Sequence, residues 1–88
     1  MSEAGADPFF RIMTRARCSL CDHLVLALEL LRPRYTFTYT LIDVDGDPEL
    51  ALRYGTRVPV LIAGDSEICA GHCEPSAIEA YLRGCAER

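Results

Sequence analysis

The tightest constraint on this chain is its odd number of cysteines. Five thiols cannot all pair within one molecule, so the fold cannot rest on a closed disulfide framework. An apolar core has to hold it instead. With 88 residues, half of them apolar, the chain can build one such core and no second lobe, so residues 1–88 are expected to form a single domain. A chain of this size buries only a little over ~60% of its extended surface, which predicts modest stability. Its cysteine content also falls below the ~8–10% typical of secreted disulfide scaffolds. Residues 1–8 are small and acidic, without the apolar stretch of a secretory signal, and read as a loose tail. Residues 84–88 read as a second tail. The longest uncharged apolar run, Leu24 to Leu28, stops at Glu29 and is too short to cross a bilayer. These features predict a cytoplasmic protein with reduced thiols and no membrane association.

Charge narrows the partners further. The formal net charge is −4, which argues against a general nucleic-acid binder. All nine cations are arginine, so any positive site must be built from guanidinium groups.

Hydrophobic patterning predicts four strands and three helices. Phe9 to Thr14 is a strand rich in bulky apolar residues, and Arg15 to Arg17 form a loop. A helix starts near Ser19, with Leu20, Leu24, Ala27, Leu28 and Leu31 on one face, and Pro33 ends it. Val25 and Leu26 lie off that stripe, as further core or as an exposed patch. Tyr35 to Ile42 alternates as a strand, followed by a polar loop over Asp43 to Asp47. Asp47, Pro48 and Glu49 suit the start of a short helix that Gly55 closes after Tyr54. Val58 to Ala63 and Glu67 to Ala70 form a hairpin across Gly64-Asp65. Pro75 to Arg83 is the last helix, with Gly84 as its stop. The order βαβαββα predicts an α/β fold in which a parallel pair and a hairpin share one mixed sheet.

Chemistry concentrates where the first strand meets the first helix, at Cys18-Ser19-Leu20-Cys21. Residues three apart on a helical turn are neighbours, within the reach of a disulfide. Cys18 lies at the helix N-terminus, where free N–H groups and the macrodipole favour a thiolate. Arg15 and Arg17 push the same way. Cys18 is therefore the expected nucleophile, and Cys21, one turn inside, the resolving thiol. Arg57-Val58-Pro59-Val60 is the second element. Taken alone, Pro59 reads as an ordinary trans proline opening a strand; beside a CxxC pair it points to a cis bond that leaves the Val58 backbone free for an extended thiol substrate.

With CSLC after the first strand, RVPV before the hairpin and Gly71-His72-Cys73-Glu74 opening the last helix, the chain resembles glutaredoxins of the thioredoxin-like superfamily. Over Leu41 to Leu61 it is especially similar to small bacterial glutaredoxin-like proteins, and the likeness extends from about residue 9 to 83. The resemblance implies a thioredoxin-like (glutaredoxin) fold with a four-stranded mixed sheet flanked by three helices. It also implies a nucleophilic Cys18, a resolving Cys21 and a cis Pro59. It further implies that Arg15, three residues before the nucleophile, engages glutathione, and that Val58, Gly71, Cys73 and Glu74 help hold it. Arg17 and Arg57 complete a set of guanidiniums suited to an anionic tripeptide. The chain departs from the family pattern in four places. CSLC replaces CPYC, Arg57 replaces a threonine, His72 replaces a glycine and Pro75 replaces a second acid.

The expected function is a thiol–disulfide oxidoreductase that reduces disulfides or glutathione mixed disulfides. Its partner is glutathione or a protein disulfide, it binds no cofactor tightly, and it works as a monomer. The alternative is a glutathione-dependent iron–sulfur cluster carrier or a thiol redox sensor with little turnover. A closed zinc site is not expected, because 47 residues separate Cys21 from Cys69 and the second pair is not CxxC. A calcium loop starting at Asp43 fails as well, with Pro48 at position six and Tyr54 at position twelve. Cys69 reads as a buried strand residue, Cys85 as a tail thiol, and Cys73 as a third redox thiol open to glutathionylation or off-pathway pairing.

Overall fold

Alternation in the first strand sends Phe10 and Ile12 to one side of a sheet and Met13 to the other, and the chain then covers both sides. The computed structural model describes residues 7–86. Strand β1 (Phe9–Thr14) leads into α1 (Ser19–Leu31), then β2 (Thr38–Asp43) and a single 3-10 turn over Val44–Gly46. There follow α2 (Pro48–Tyr54), the hairpin strands β3 (Val60–Ala63) and β4 (Ser66–Ala70), and α3 (Pro75–Ala86). The strands lie in the order β2-β1-β3-β4. β1 pairs in parallel with β2, from Phe9 opposite Thr38 to Thr14 opposite Asp43, and antiparallel with β3. β3 and β4 are antiparallel, with an irregularity between Leu61 and Ile62. This is the mixed four-stranded sheet with three helices that the order of elements predicts.

One core gathers Phe10, Ile12 and Leu61 with Leu24, Leu28 and Leu31 of α1 and Ile78 and Leu82 of α3. The Phe10 ring meets Phe37 edge-on at 5.6 Å and Tyr81 at 5.8 Å. The opposite face holds Met13, Val44, Val60 and Ile62 beneath Leu50 and Tyr54 of α2. Helix α2 has only seven residues and screens one end of that face, so Phe9 and Arg11 at the other end are exposed. All four residues of β3 are buried, as a strand covered on both sides must be.

The buried stripe of α1 is Cys21, Leu24, Leu28 and Leu31 rather than one starting at Leu20, which is 39% exposed. Leu20 sits about 100° round the helix from Cys21, on the rim of the buried face. Ala27 is half-buried. Leu26 and Leu30 point outward and, with His23, Ala27, Leu31 and Pro75, line an apolar groove of about 270 Å³. β2 starts at Thr38 instead of Tyr35, because the N–H groups of Arg34 and Tyr35 both donate to the Leu31 carbonyl and prolong the turn after α1. The loop expected over Asp43 to Asp47 is tightened by the Asp43 carboxylate accepting the Asp45 N–H (2.9 Å) over a buried Val44.

Gly55 closes α2 without entering the left-handed region (φ −55°); a side chain there would run into the Ala51 carbonyl. The two expected tails need correction. The Pro8 carbonyl accepts the Thr38 N–H at 3.0 Å, which ties residue 8 to the sheet edge, while residues 1–6 lie outside the described residues. Helix α3 passes through Gly84 and runs to Ala86, so Gly84 is not a stop and residues 84–86 are not tail; residues 87 and 88 lie outside the described residues. Among the described residues, no helix is long and apolar enough to cross a membrane.

Burial sets the cost of truncation. Leu28→Ala, at a fully buried site, should lower unfolding free energy by about 2–5 kcal/mol. Leu52→Ala, at a site 90% exposed, should stay within about 0.5 kcal/mol. Urea denaturation of the two variants checks this pair, and equal shifts would contradict the placement of α1 and α2.

Candidate active site

The loop leaving β1 is short and strained. Arg17 takes a left-handed conformation (φ 58°), which costs a non-glycine residue about 1 kcal/mol. The next residue, Cys18, is extended (φ −113°, ψ 104°) and caps α1: its Sγ accepts the Cys21 N–H at 3.1 Å, and its carbonyl accepts the Asp22 N–H at 3.1 Å. Cys18 and Cys21 are joined as a disulfide, with Cα atoms 5.2 Å apart. The two sulfurs are not equivalent. Cys18 is half-buried, whereas Cys21 is 5% exposed and belongs to the buried face of α1. When the bond is reduced, the N–H at Cys18 Sγ and the helix N-terminus both favour a thiolate on the outer cysteine.

Arg15 is held from two sides. Its Nε and Nη2 donate to the Asp45 carboxylate at 3.2 and 2.7 Å, and its Nη1 donates to the Gly55 carbonyl at 2.7 Å. The guanidinium thus joins the end of β1 to the turn after β2 and to the end of α2. The Arg15 hydrogen bond holds the Asp45 carboxyl below the usual carboxylate range, and Asp45 in turn raises the Arg15 pKa.

The second edge of the site is backbone. The Val58–Pro59 peptide bond is cis, with Pro59 buried and Val58 half-buried. Gly71, at φ 70°, directs its N–H to the carbonyls of both Arg57 (3.1 Å) and Pro59 (2.7 Å), spanning Val58. Such a φ favours glycine. The turn before α3 therefore lies against residues 57–59. Within that turn the His72 Nε2 and a Glu74 carboxylate oxygen are 2.8 Å apart.

Of the residues expected to act, Cys18 and Cys21 are brought together by their bond, and Arg57, Pro59 and Gly71 by the Gly71 N–H. The three guanidiniums are placed differently from one another. Arg15 is engaged by Asp45 and Arg57 by Glu67, whereas no ion pair or hydrogen bond engages Arg17 among the described residues. The expectations for Cys69 and Cys73 need correction. Cys69 is half-buried and bonded to Cys73, with Cα atoms 5.5 Å apart, so Cys73 is not a free thiol; Cys85 is the free cysteine. Sequence reasoning missed Asp45, Glu67 and Cys69 as partners. No local signal pointed to Asp45, because only the register that sets Thr14 opposite Asp43 brings residues 15 and 45 alongside.

Known proteins share this family and fold. A family model described as Glutaredoxin-like domain (DUF836) matches residues 11–83. The fold is similar to a solution NMR structure of a protein from Nitrosomonas europaea, with TM-score 0.78 and 31% identity over 93% of this chain and 99% of that one. It is similar to an X-ray structure of a protein from X. campestris, with TM-score 0.69 and 30% identity over 85% and 96%. A mutant thioredoxin from Halobacterium salinarum NRC-1 aligns with TM-score 0.68 and 24% identity over 97% and 80%, a likeness of fold alone. No curated protein matches.

The Arg15–Asp45 pair gives the loop a pH dependence. The folded-state pKa of Asp45 is depressed, so its stabilising effect is present above the unfolded carboxylate pKa and lost as pH falls through the folded value. Asp45→Asn should therefore be less stable than the parent at neutral pH, with the gap closing at acid pH. Urea midpoints measured across pH check it; a gap that does not change with pH would contradict the pairing.

Proposed function

From the premise that this chain belongs to the glutaredoxin-like (DUF836) family, we propose that it is a thiol–disulfide oxidoreductase working through Cys18 and Cys21 with glutathione as co-substrate. The observation that carries this reading is the asymmetry of the pair: an outer Cys18 that accepts an N–H at a helix N-terminus, and an inner Cys21 held in the core. Cys18 thiolate attacks one sulfur of a substrate disulfide, forming a mixed disulfide and expelling the other sulfur as a thiolate that takes up a proton. Cys21, deprotonated, then attacks Cys18 Sγ, which releases the substrate thiol and closes the Cys18–Cys21 bond. Two glutathione thiols reopen that bond and leave as glutathione disulfide.

The surroundings support glutathione. One of its carboxylates suits the Arg17 guanidinium. Its γ-glutamyl end, which carries an amine as well as a carboxylate, suits the turn from Gly71 to Glu74, and its extended backbone suits Val58, whose neighbours' carbonyls are already occupied by Gly71. Arg15 acts by fixing the loop that carries Cys18, and Arg57, paired with Glu67, borders the strip. The protein acts as a monomer in the reducing cytoplasm, with glutathione mixed disulfides or protein disulfides as substrates.

Turnover coupled to glutathione reductase and read as loss of the nicotinamide reductant tests the reading. Cys18→Ser should fall to the uncatalysed background. Cys21→Ser should keep turnover on a glutathione mixed disulfide, which needs one protein thiol, and lose it on a protein disulfide, which needs two. Full activity in a folded Cys18→Ser variant would overturn the proposal.

A further inference from the structure

We propose that Cys69 and Cys73 form a second thiol–disulfide centre, distinct from the Cys18–Cys21 pair, which exchanges with low-molecular-weight disulfides. Both residues are half-buried, so neither sulfur is sealed in the core. Their Cα atoms are 5.5 Å apart, a separation a disulfide spans without backbone movement. The bond does less to hold the molecule together than one between distant segments would. It closes a loop of only five residues, which removes less chain entropy than a long loop would. The layers it joins are already packed through Leu61, Ile78 and Leu82. What it does constrain is the turn from β4 to α3. Gly71 lies midway between the two cysteines in sequence, and its N–H holds the carbonyls of Arg57 and Pro59. The second pair is thus built into the segment that borders the Cys18–Cys21 site.

The exchange balances with a small disulfide such as glutathione disulfide as the oxidant. One protein thiol loses a proton, and its thiolate attacks a glutathione disulfide sulfur. A mixed disulfide forms, and one glutathione thiolate leaves and takes up a proton. The other protein thiol, deprotonated in turn, attacks the protein sulfur of the mixed disulfide and expels the second glutathione. The protein dithiol is oxidised by two electrons, and glutathione disulfide is reduced to two glutathiones. Excess glutathione runs the same steps backwards.

The full chain, equilibrated across ratios of glutathione to glutathione disulfide, quenched with an alkylating agent and cleaved after arginine, tests this directly. Cleavage puts Cys18 and Cys21, Cys69 and Cys73, and Cys85 on separate peptides, so the two centres are read apart. As the ratio becomes more oxidising, the peptide holding Cys69 and Cys73 should pass from two alkylated cysteines to none in one two-electron step, with no glutathione adduct remaining. Two alkylated cysteines at every ratio, a bond that survives every ratio, or a lasting glutathione adduct on either residue would overturn the proposal. None of these outcomes depends on whether Cys18 and Cys21 turn over.

Discussion

Strand β1 is hydrogen-bonded on both edges, covered along one face and, at Met13, on the other, and the position of the cysteine loop follows from that confinement. With Phe10 and Ile12 locked under α1 and α3 and Met13 against Val60, the strand cannot slide: a one-residue slip would turn every side chain to the wrong face. Its end at Thr14 is therefore fixed, and Arg17 and Cys18 are delivered to a fixed place. The Arg15 guanidinium reinforces this by fastening the first residue beyond the strand to Asp45 and Gly55. The left-handed turn at Arg17 persists because both of its ends are held, one by this anchor and the other by the cap of α1.

What could be read from the sequence was what depends on near neighbours. The Cys18 cap, the three-residue spacing to Cys21 and the Asp47-Pro48 start of α2 are local, and each stands where the sequence places it. The order of elements and the mixed sheet follow from patterning over a few residues at a time. Features set by tertiary register were hidden. Asp45 looked like a loop acid because its partner is 30 residues away, and Glu67 read only as the start of a hairpin strand because Arg57 reaches it only across the hairpin. Leu20 outranked Cys21 in the sequence because leucine is the more apolar residue, yet the face of α1 is chosen by the sheet beneath it. The run of α3 through Gly84 shows the same limit: the helix continues where packing by Ile78 and Leu82 already holds it, and a single glycine costs only ~1 kcal/mol.

The arginine-only cation set also takes on a shape that composition hides. Arg15, Arg32, Arg34, Arg57 and Arg83 each face a carboxylate, with Glu79 shared between Arg34 and Arg83. The Tyr35 hydroxyl donates to the same Glu79 and, ahead of the two arginines, holds its carboxyl below the usual range. Arg15–Asp45, Arg34–Glu79 and Arg57–Glu67 link segments apart in sequence, whereas Arg32–Glu29 and Arg83–Glu79 lie within one helical turn. Exposed ion pairs contribute little to stability one by one. Here the first three fix loop positions, a task for which the planar, multidentate guanidinium suits better than an ammonium.

The Gly71 N–H shared between two carbonyls leaves Val58 as a single peptide rung between occupied supports. Under the proposed function, a partner that pairs its own main chain with that rung is held there whatever side chains it carries. Pairing of that kind is blind to sequence. In that reading, discrimination between partners comes from charge and shape around Cys18 and along the turn from Gly71 to Glu74, and from the pace of sulfur exchange.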